Sequence, residues 1–206
     1  MKKKSRNQAI SFWAIFFPFV AIFLAMWFIF IASSYRKSWS FDMSKLNTEL
    51  RDSVYSLENH GEITYEKIGF PRKINPRWKT RQWVRKNASI EDLHILKNYP
   101  SGVVKATAYE MLILREKGPT FDLWIEAFQD TTHFVDVYTG GCIGYPNLAG
   151  EYLFDEYLLA FSYTEPSETV LNRFRLNEEE FYQIQALYEE RRSKKSSYLK
   201  AFYYVD

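Results

Sequence analysis

One cysteine, Cys142, and three histidines, His60, His94 and His133, make up the sulfur and imidazole ligands of this 206-residue chain. A lone thiol forms no intrachain disulfide, so in an oxidising space the fold has to rest on its core. No cysteine closes the apolar run near the N-terminus, which excludes a lipid-modified leader. The histidines are scattered, with no His-x-x-x-His or Cys-x-x-Cys spacing, and no metal site is expected. Glycine is scarce too, at eight residues. The one glycine-rich stretch, Thr139-Gly140-Gly141-Cys142-Ile143-Gly144-Tyr145-Pro146, lacks the Gly-Lys-Ser/Thr ending of a phosphate loop and the six-residue dinucleotide fingerprint. No cofactor is expected, and no small-molecule ligand is identifiable.

Charge of one sign is not in excess: 27 Lys and Arg face 25 Asp and Glu. That balance argues against a nucleic-acid coat or an acidic tail. The acids all lie after residue 41, whereas Lys2, Lys3, Lys4 and Arg6 form a basic head over residues 1–8. The remaining body is nearly neutral.

Between head and body stands a long uncharged run, AISFWAIFFPFVAIFLAMWFIFIA over residues 9–32. At about 1.5 Å per residue it reaches about 36 Å, against a hydrocarbon core of about 30 Å. A transmembrane helix over residues 9–33 is expected, with Pro18 tolerable inside it. The competing reading is a cleaved signal peptide ending at Ala32-Ser33-Ser34, but its apolar core normally spans about 7 to 15 residues. The cations before the run outnumber Arg36, Lys37 and Lys45 after it, which favours a cytoplasmic N-terminus at the plasma (inner) membrane. Residues 39–206 are then an extracytoplasmic domain.

The body reads as mainly α. Asp42 is placed as the cap of a helix carrying Met43, Leu46, Leu50, Val54 and Leu57, stopped at His60-Gly61. A short extended segment is expected over residues 62–70, and Pro71 and Pro76 keep the residues after it irregular. Ser89 and Asp92 form a capping box for a short helix, Pro100-Ser101-Gly102 breaks it, and Val104, Ala108, Met111 and Leu112 trace a second. A third helix contains Phe121, Trp124, Ile125 and Phe128. Residues 133–138 look extended, a helix comes after the glycine loop, and Asn177 with Glu180 boxes the start of the last helix.

The helix pair over about residues 89–117, with its Pro-Ser-Gly break and small Ala106 and Ala108, resembles a HEAT-type helical repeat. The stretches LKNYPSGVVKATAYEML and FDLWIEAFQDTTHFVDVYTGGC are similar to an uncharacterised group of Bacteroidetes-type bacterial proteins with a HEAT-like pair. The resemblance covers about 60 residues and implies a helical interaction scaffold. It supplies no catalytic residue.

Two stretches carry candidate chemistry. Cys142 with His133 and Asp136 is the set a cysteine hydrolase would need: an imidazole to take the thiol proton and a carboxylate to orient it. The bland reading is a small buried hydrophobe in a tight loop. The other stretch runs from Lys67 through Arg72, Lys73, Arg77, Trp78, Lys79, Arg81, Trp83, Arg85 and Lys86, with no acid. Its bland reading is a loop whose stems and indoles cover the core. Its functional reading is contact with anionic lipid headgroups, each base near the surface adding about 1 kcal/mol. Single-stranded nucleic acid is the third occupant of such a pattern, and none is expected for an extracytoplasmic body.

These readings converge on a single-pass membrane protein that binds or assembles through protein–protein contacts at the membrane surface. The bilayer and another protein are its expected partners. A membrane-tethered cysteine hydrolase using Cys142 and His133 is the alternative.

Overall fold

The computed structural model describes residues 12–34, 37–68, 73–138, 144–159 and 166–203, with side chains described over 16–31, 38–66, 74–138, 144–158 and 166–194. The chain divides into two units, Met1–Ser40 and Phe41–Asp206.

The first unit is built on helix α1, Phe12–Ser34, which contains Pro18 and no charge. Its large apolar side chains, Phe17, Phe19, Ile22, Phe23, Phe28 and Phe30 among them, are exposed on all sides. No helix among the described residues is long and apolar enough to cross a membrane.

The second unit is mainly helical. Helix α2, Thr48–His60, begins at Asn47, whose side chain accepts the Leu50 N–H at 2.8 Å, and ends at Gly61 with φ 69°. The sequence placed this cap at Asp42, which instead accepts the Ser44 N–H at 2.9 Å. Either carboxylate or carboxamide satisfies a free amide, but only Asn47 stands three residues before an orphan helical donor. Next come strand β1, Glu62–Thr64, and the hairpin of β2, Lys67–Ile68, with β3, Lys73–Ile74. Helix α3, Pro76–Asn87, succeeds them, then α4, Ile90–Leu96, α5, Gly102–Arg115, and α6, Phe121–Gln129. Strands β4, Phe134–Tyr138, and β5, Gly144–Leu148, lead into α7, Ala149–Leu153. Phe154–Leu159 continues α7 as a π-helical turn, and α8, Glu168–Phe174, and α9, Glu178–Tyr203, complete the unit.

The three-stranded sheet has the order β1-β4-β5. β1 lies parallel to β4, with Glu62 beside Asp136, and β5 lies antiparallel to it, with Leu148 beside Phe134 and Gly144 beside Tyr138. Helix α5 is the centre of the unit, buried from Gly102 to Ile113 except at Lys105. A helix apolar around most of its circumference has to be covered on most sides, and α2, α3, α4, α6, α7, α8 and β4 all pack on it. Gly102 sets how closely its first turn meets the sheet, because a Cβ there would stand 2.0 Å from the Phe134 carbonyl oxygen.

Candidate functional site

The basic stretch is a helix over most of its length. Asn75 caps α3, accepting the Arg77 N–H at 3.0 Å, and Pro76 occupies the first helical position. Its fixed φ and missing N–H suit that position. Arg85 and Lys86 lie in the last turn, where cations meet the negative end of the helix. The helix then sorts its bases by face.

Arg81 turns inward and is 5% exposed. Its Nε donates to Thr107 Oγ1 at 3.1 Å and its Nη2 to Tyr152 OH at 2.7 Å and to Glu110. The guanidinium also stands 5.5 Å from the centre of the Tyr152 ring. Glu110, 1% exposed on α5, accepts from Arg81, from the Tyr157 hydroxyl and from Arg85 Nη2, the last at 3.0 Å. Beyond it, Tyr65 OH donates to Glu156 Oε2 at 2.9 Å. Burial and the Glu110 carboxylate push the Tyr157 phenol well above its ordinary range, and burial pushes up Tyr152 as well. Both stay neutral, Tyr157 donating to Glu110 and Tyr152 accepting from Arg81. Burial, then Glu156, push Tyr65 up to about 12. Glu156 is itself raised, by burial first and by Glu110, against the lowering effect of Tyr65 and the two arginines.

Arg81 and Arg85 are thus bonded to Glu110, and Tyr152 and Tyr157 complete that group, while the Tyr65–Glu156 pair lies beside it and brings the second carboxylate that balances the two guanidiniums in charge. Such a group adds little net stability as a pair but is costly to break, because removing one partner leaves a buried charge uncompensated. What it does here is fix α3, α5, α7 and the π turn in one register.

The outward face keeps Lys79 and Lys86 exposed, with Arg77 exposed but paired to Glu62. Trp78 and Trp83 are half-buried, and Trp83 packs on the core. Of the nine residues expected at a lipid surface, Arg81 is therefore corrected to an interior strut. Arg85, with a side chain 23% exposed, is turned toward Glu110. Arg72 lies outside the described residues, and the Lys73 side chain is not among those described.

The hydrolase set is rearranged. His133 Nδ1 stands 2.9 Å from Asp130 Oδ2 and 3.0 Å from Thr132 Oγ1, so the carboxylate that orients the ring is Asp130 and not Asp136. Asp130 also accepts from Lys105 Nζ at 2.5 Å. Asp136 sits within β4 beside Glu62, and burial and that neighbouring carboxylate raise its pKa. Cys142 lies outside the described residues. The ladder places His133 just before β4, while the described ends flanking residues 139–143 are Tyr138 and Gly144, at the far end of the hairpin. No group of His, Cys, Asp and Glu among the described residues is placed to hold a metal ion.

Sequence reading missed Glu110, Tyr152 and Tyr157. The legible signal was Glu110, a lone acid inside the apolar run VVKATAYEMLIL of α5, because a buried carboxylate requires a buried cation. No family model, curated protein or solved structure matches this chain, so the site is read from its geometry.

Proposed function

We propose that the chain is a single-pass, membrane-anchored binding or assembly module, with its N-terminus cytoplasmic and its helical body outside the cytoplasm. The observation that carries the proposal is α1, uncharged from Phe12 to Ser34 and exposing phenylalanine and isoleucine all round. At about 1.5 to 3 kcal/mol for each large apolar side chain brought out of water, covering that surface is worth on the order of 20 kcal/mol. Lipid supplies such cover without a partner chain. The basic residues ahead of the run favour retention of the N-terminus inside. The body contributes a rigid helical surface, with the α4–α5 pair that resembles a HEAT-type repeat, and contacts another protein at the membrane surface.

Protease added to intact spheroplasts is expected to digest the body while the N-terminal segment stays with the membrane through alkaline extraction. Protection of the body until lysis would reverse the orientation. Release of a soluble form beginning near residue 35 would replace the anchor with a cleaved leader.

A further inference from the structure

Among the described residues, the π turn Phe154–Leu159 concentrates ties to several distant elements at once. A π turn closes with i to i+5 bonds and occurs mostly as a single turn inside α-helices, well under 1% of residues. Here three consecutive side chains are each held by a different element. Asp155 accepts the Tyr188 hydroxyl of α9 at 2.6 Å and Asn147 Nδ2 of β5 at 3.3 Å. Glu156 accepts the Tyr65 hydroxyl, next to β1, at 2.9 Å. Tyr157 donates to Glu110 of α5. On either side Phe154 stacks on Tyr188 at 4.4 Å and Leu158 is fully buried.

The wider turn rotates less per residue than an α-helix, so neighbouring side chains fan over a narrower arc. Returning to 3.6 residues per turn would rotate the residues beyond it by up to about 100° and turn Leu158 away from the core. An α register of the same segment would thus be a discrete alternative to the π turn and not a small distortion of it. Of its ties, the Tyr65 to Glu156 bond is the one at the surface: Tyr65 is 40% exposed, whereas Glu110 is buried.

We propose that residues 154–159 form a two-state turn, in which the Tyr65–Glu156 bond favours the π register and the α register gains population once that bond is lost. A change at the exposed Tyr65 is then passed through Tyr157 to the buried Arg81 and Glu110. A bistable element whose registers differ in packed side chains is the physical basis for such coupling.

The test uses the full chain in detergent micelles. Tyr65→Phe removes one hydroxyl and little else. Amide exchange over residues 154–159 is expected to rise about tenfold, as loss of a bond to a charged acceptor predicts. The peptide of α5 around Glu110 should rise with it, α4 should not, and Leu158 should show a second pair of methyl resonances. Glu156→Gln, which keeps an acceptor for Tyr65, should retain slow exchange. Unchanged exchange and one pair of Leu158 methyl resonances in Tyr65→Phe would overturn the proposal. So would an equal rise across α2, α4 and the turn, which marks general loss of stability.

Discussion

Asp130 ties Lys105 and His133 together, and its side chain is 10% exposed. Burial alone would raise its pKa, but hydrogen bonds from His133, Lys105 and the Thr132 backbone outweigh it and hold the carboxyl well below the ordinary range. A carboxyl depressed in the folded state stabilises the fold above the unfolded carboxylate range, near pH 4, and that contribution is lost as pH falls further. The contribution of Asp130 to the urea midpoint, read as the difference between the parent and Asp130→Asn, is therefore expected to be level above about pH 5 and to decline below about pH 4. Asp130→Asn should cost about 2 to 3 kcal/mol at neutral pH and leave a shallower acid limb. An acid limb identical to that of the parent would remove Asp130 from this role. At this scale the sequence exposed His133 and an acid close by, but not which acid, since Asp130 is reached through a local turn and Lys105 from another helix. Arg81 was equally hidden: nothing within its own helix names a partner on α5.

Helix α3 separates two kinds of base along one element. Replacing Lys79 and Lys86 by Gln removes charges that lie in water and should change stability by no more than about 0.5 kcal/mol. Arg81→Gln leaves Glu110 with fewer cations in the interior and is expected to cost about 3 to 5 kcal/mol. Denaturant unfolding distinguishes them, and equal small effects would contradict the inward placement of Arg81. The helix is hard to read in the sequence because two nearby prolines look like breakers, although Asn75 with Pro76 after it is a helix start. Strand β5 is obscured for a similar reason: Pro146 interrupts its pattern, yet an edge strand can accommodate a residue without an N–H. The starts of α4 and α9 are legible because their exchanges are local. Ser89 and Asp92 each bond the other's backbone, as do Asn177 and Glu180.

In the whole molecule, the buried apolar cluster runs from Met43 to Tyr188 and is built from residues of the second unit. A chain beginning at Phe41 is expected to unfold in one cooperative transition, with far-ultraviolet dichroism and tryptophan fluorescence coinciding. Separated transitions, or a body that fails to fold without α1, would show that the second unit is not self-sufficient. Helical content was readable from the apolar periodicity of single segments. The sheet was not, because its central pairing joins residues 62–64 to 136–138 and periodicity carries no information about distant partners.

That parallel pairing also dictates an order of assembly. Parallel neighbours need a crossover between them, and here α3, α4, α5 and α6 all intervene between β1 and β4. During synthesis from the N-terminus, at about 5 to 20 residues per second, β1 leaves the ribosome roughly 4 to 14 seconds before its neighbour exists. For that interval it is an open edge available to any other extended chain. Its length of three residues, with Glu62 at one end, limits how much a wrong neighbour can gain from it.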